Sequence, residues 1–139
     1  MESTVLSMSL TILLFFGYGF GLNLSNGQES DAEERNPGEI ITEIRSLLNQ
    51  TIIEYQNKNS SGATALVEEA YLENYEFIEA PLAEQSETLM EETEVMLREQ
   101  LRDLVKSDSV EADVQALLQK INYNLDRADQ LLTNQTETN

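Results

Sequence analysis

The chain has 139 residues, of which 26 are Asp or Glu and 8 are Lys or Arg, for a formal charge of −18. A surface of that sign repels nucleic-acid phosphate and anionic lipid headgroups, and it attracts metal ions and basic proteins. Having no Cys and no His, the chain lacks thiolate nucleophiles, imidazole bases, disulfides and Cys/His zinc sites, so any metal must be held by oxygen.

In chain order, the first element is an uncharged run from Val5 to Leu24 with a compact apolar centre, Leu10 to Phe16, followed by Gly17, Gly19 and Gly21. Residues 1–25 read as a signal peptide, although Lys and Arg are missing from the leading residues and no Ala-x-Ala site follows. The alternative is a retained membrane anchor, for which about 20 apolar residues suffice. Either outcome makes the protein extracytoplasmic, secreted or anchored to the outer face of the cell membrane, and leaves this segment, if uncleaved, as the membrane contact. Acceptor patterns for N-glycosylation at Asn23, Asn49, Asn59 and Asn134 agree with that location. Residues 26–35 contain Ala32 as their one apolar residue and are expected to be a flexible acidic linker.

The folded domain is expected over 36–132, ahead of a polar, disordered tail at 133–139. Asn36, Pro37 and Glu39 combine a capping side chain, proline at the first helical position and an acid in the first turn. They predict a first helix whose apolar stripe is Ile40, Ile41, Ile44, Leu47, Leu48, Ile52 and Tyr55. Asn57 to Gly62 interrupts it. A second helix is expected over 61–80, ended by Pro81 because the residue before a proline is pushed out of helical geometry. A third is expected from Pro81 to about Lys106, with acids leading and Arg98, Arg102 and Lys106 trailing as the helix dipole favours. Asp108 and Glu111 suggest a capping box for a fourth helix, whose stripe runs from Val110 through Leu117, Ile121 and Leu125 to Leu132. The expected fold class is all-α, an antiparallel up-down four-helix bundle. The alternative is a three-helix bundle with a kinked long helix.

Between Lys58 and Arg98 there is no basic residue, yet the interval carries Glu68, Glu69, Glu73, Glu76, Glu79, Glu84, Glu87, Glu91, Glu92 and Glu94. Like charges at helical spacing destabilise a helix by tenths of a kcal/mol per pair, and a bound cation would offset that. Glu76 and Glu79 share a helix face, with Glu69 and Glu73 on a neighbouring stripe and the Tyr75 phenol nearby. These five residues are the candidate ligands for a hard cation such as ferric iron, calcium or manganese. A solvated helix face is the structural alternative for the same pattern. Met90 and Met96 read as packing residues, and Tyr71 as a core residue with its hydroxyl at the surface.

The segment Glu68-Glu-Ala-Tyr71-Leu-Glu-Asn-Tyr75-Glu76-Phe-Ile-Glu79-Ala-Pro-Leu82 resembles a segment of the helical extracytoplasmic domains associated with high-affinity iron permeases. By that resemblance, Glu76 and Glu79 correspond to the paired acids of the family's Glu-x-x-Glu pattern, and Tyr71 and Tyr75 to its aromatics. The permeases carry an Arg-Glu-x-x-Glu motif within membrane spans; this chain has neither, which excludes a transporter. The resemblance implies an accessory to metal uptake or storage, with iron as the cofactor and an iron permease as a partner. A non-catalytic cell-surface module that meets a basic protein through its acidic face is the competing expectation. A two-carboxylate hydrolase ranks below both, because it needs a concave substrate pocket.

Overall fold

The computed structural model describes residues 35–134. The expected signal peptide or anchor at 1–25, the linker before Arg35 and the part of the expected tail beyond Asn134 lie outside the described residues, while Thr133, expected in that tail, closes the last helix. Those residues are helical and, by continuous hydrogen bonding, form three helices: α1 (Pro37–Gln56), α2 (residues 60–106) and α3 (Glu111–Thr133). The three-helix alternative with a bent long helix fits this count. No described helix is long and apolar enough to cross a membrane.

Helix α1 starts as its sequence requires. The Asn36 side chain accepts from the Gly38 amide at 2.8 Å, and Pro37 occupies the first turn. It ends where Lys58 takes a positive φ of 62° and Asn59 caps the next helix, accepting from the Gly62 amide at 3.0 Å. Helix α3 is uninterrupted, with Val114, Leu117, Leu118, Ile121, Leu125, Ala128 and Leu132 buried along one face. Each large aliphatic side chain so buried contributes about 1.5–3 kcal/mol.

Two expectations about boundaries are corrected. Helix α2 does not stop at Pro81. It passes through that residue and bends at Ser86, which leaves helical geometry at φ −161°, ψ 91°. Proline costs a helix one hydrogen bond and a ring contact, and Pro81 lies at the edge of the packed face, between exposed Ala80 and fully buried Leu82. Ser86 supplies the break instead, because its Oγ accepts from the Leu89 amide at 3.3 Å and so caps the limb that follows. The Asp108–Glu111 capping box is also absent. Asp108 sits in the left-handed region at φ 51°, Val110 is the N-cap with no side-chain bond, and Glu111 accepts from Gln56 and Gln115.

The bend returns the second limb of α2 (87–106) along the first (60–85). The Tyr75 hydroxyl donates to the Met90 carbonyl at 2.9 Å, and Arg102 Nε donates to Glu68 at 3.0 Å. Helix α1 packs on the first limb and on α3, while the second limb packs on the first limb and on α3. Arg45 pairs with Asp126 at 2.5 Å across the α1–α3 seam. One core, including Ile41, Ile44, Leu48, Ile78, Leu82, Leu97 and Leu125, runs between these elements.

Candidate functional site

Both limbs of α2 leave α geometry for a π-helical turn, at Tyr71–Tyr75 and at Met96–Leu101. Such turns insert a residue into the helical register, which re-aims side chains, and they concentrate at functional sites. In the first turn Tyr71 and Tyr75 stack with ring centroids 6.4 Å apart. Asn74 is buried there and bonds the Glu69 carbonyl at 3.2 Å, satisfying a backbone group within the altered register.

Between the limbs, Glu94 gathers the Tyr71 hydroxyl at 3.4 Å and Arg98 Nη1 at 2.6 Å, while Arg98 Nη2 reaches Glu99 at 2.9 Å. Glu79 joins this group. Burial pushes its carboxyl above the ordinary range, and Glu94 and Glu76 add to that, while the Tyr71 hydrogen bond and Arg98 oppose it. Its Oε1 is sealed from solvent and has no hydrogen-bond partner among the described residues. The Tyr75 phenol is raised too, chiefly by burial.

A second acidic feature lies between α1 and the first limb, where a groove is lined by Glu39, Glu43, Glu69 and Glu73 over Ile40 and Asn74. Arg35 occupies its mouth. The guanidinium donates to the Glu73 carbonyl at 2.7 Å and to Asn74 Oδ1 at 3.3 Å, and lies 4.9 Å from the centroid of the Phe77 ring. Arg35, the last residue of the expected linker, is thus bonded to the domain.

The five expected metal ligands are dispersed. Glu69, Glu73 and Glu76 are exposed, Glu79 is half-buried between the limbs, and the Tyr75 hydroxyl is committed to Met90. Among the described residues no three carboxylates converge closely enough to hold an ion. Glu76 acts electrostatically on Glu79. Sequence reasoning missed Glu39, Glu43 and Arg35 on the groove, and Glu94 and Arg98 beside Glu79. The base-free interval was the available signal for Glu94, whereas the pairing across α1 and α2 has no local signature. No known protein family, curated protein or solved structure matches this chain.

Proposed function

We propose that this is a non-catalytic extracytoplasmic module that binds a basic protein segment through the acidic groove between α1 and the first limb of α2. In this reading the limbs of α2 act as separate rods, so that the domain works as an antiparallel up-down four-helix bundle. The observation that carries the reading is the docking of Arg35. A cationic side chain of the chain itself lies at the mouth of the groove, using a carbonyl, an amide oxygen and an aromatic face. Around it, Glu69, Glu73, Glu76 and Phe77 are exposed. Acids with interspersed apolar groups suit a basic amphipathic partner, the charges speeding encounter and the apolar residues adding burial.

The test is calorimetric titration of the full chain with a synthetic amphipathic peptide carrying arginines at four-residue spacing. Saturable binding that weakens steeply with added salt is expected. The double change Glu39→Gln and Glu73→Gln should weaken it about tenfold or more. Absence of saturable binding, or binding indifferent to the double change, defeats the proposal.

A second reading keeps the hard cation, as an accessory to metal uptake or storage, and rests on the unpartnered oxygen of Glu79, a carboxylate on which Glu94 acts electrostatically. Titration with ferric, calcium and manganese ions distinguishes it. Saturable binding lost on Glu76→Gln with Glu79→Gln but kept on Glu111→Gln supports the metal site, and no saturable binding removes it.

A further inference from the structure

The two π-helical turns both line a slot between the limbs of α2. Val67 and Leu97 are buried at its base, with Tyr71 beside them and half-exposed Leu72 at the lip. The slot is open on one side and offers about 160 Å³, room on the order of one benzene ring. Both departures from α geometry therefore supply wall residues to one small apolar recess.

Its rim carries two cations, Arg98 and Arg102, and one acid, Glu68. Arg98 is engaged by Glu94 and Glu99, neither of which lines the slot. Arg102 differs: it donates through Nε to Glu68 at 3.0 Å, and its two Nη atoms have no hydrogen-bond partner among the described residues. Glu68 is shared with Lys106, whose Nζ is 3.8 Å from the same oxygen, so one carboxylate stands against two cations. A guanidinium held by Nε alone presents its outer edge as a ready donor pair for a carboxylate.

We propose that this slot binds a small carboxylate with an apolar body, of the size of a single ring or a short branched chain. The body sits against Val67, Tyr71, Leu72 and Leu97, and the carboxylate meets the Nη edge of Arg102. This site takes a ligand opposite in charge to the one the acidic groove takes.

Phenylacetate and its neutral isostere phenylacetamide are suitable probes, titrated into the full chain at low ionic strength while the methyl resonances of Leu72 and Leu97 are followed. The overall charge of −18 repels every anion, so a preference for the acid must arise locally. Phenylacetate should give saturable shifts and bind about tenfold more tightly than the amide. Arg102→Gln, at an exposed position, should abolish that preference while the methyl shifts persist. Leu72→Ala should weaken both ligands alike. Equal affinity for acid and amide, a preference that survives Arg102→Gln, indifference to Leu72→Ala, or no saturable shift at all would each overturn the assignment.

Discussion

At Glu79 the chain half-buries a carboxylate, and two further carboxylates, Glu94 and Glu76, act on it. The folded state binds the proton more tightly than the unfolded state does. The associated stability is therefore complete below the ordinary carboxyl value of 4.5 and is lost as pH rises through the raised folded value. Glu79→Gln removes the charge and keeps the shape. It should raise the melting temperature at pH 7 and shrink the gain that the wild-type chain shows on acidification from pH 7 to pH 5. Identical pH profiles for the two proteins would show that Glu79 is not the strained group. That Glu79 belonged to a crowded acidic region was legible from the base-free interval. That it differs from Glu76 was not, because a shared helix face does not say which of two carboxylates turns toward the second limb.

For the elements, the instructive case is the bend in α2. A proline was the conspicuous break in the sequence, yet Pro81 is absorbed and Ser86 turns the chain. Propensity sets a cost for a local conformation, but packing of Leu82 on one side of the bend and Leu89 on the other decides where that cost is met. The Ser86 cap is a short-range contribution to the turn. Ser86→Ala should destabilise the domain by about 1 kcal/mol, measured as a shift in the urea midpoint with an unchanged slope. An unshifted midpoint would mean that the limbs' packing, rather than the cap, holds the bend. The π-helical turns had no visible precursor, since Tyr71 and Leu97 satisfy the α-helical apolar pattern equally well. The start of α3 illustrates the converse, a capping box written plainly in Asp108 and Glu111 but displaced when the chain reverses through a left-handed Asp108.

At the scale of the whole molecule, the described core is self-contained: its buried residues run from Ile40 to Leu132, and Arg35 fastens the entry to α1. A fragment covering 35–134 should fold alone, with a circular dichroism spectrum dominated by helix and a cooperative melt. A disordered spectrum would show that residues outside this interval are needed for folding. The sequence by itself determined the helical class, the stripes of α1 and α3, the cap at Asn36 and the acidity of α2, because each follows from periodicity or chemistry within a few residues. Tertiary structure alone decided that α2 folds back at Ser86, that Arg35 enters a groove made by Glu39, Glu43, Glu69 and Glu73, and that the π-helical turns meet around one slot. Those features depend on residues distant in the chain being packed at particular registers, and no local pattern carries that information.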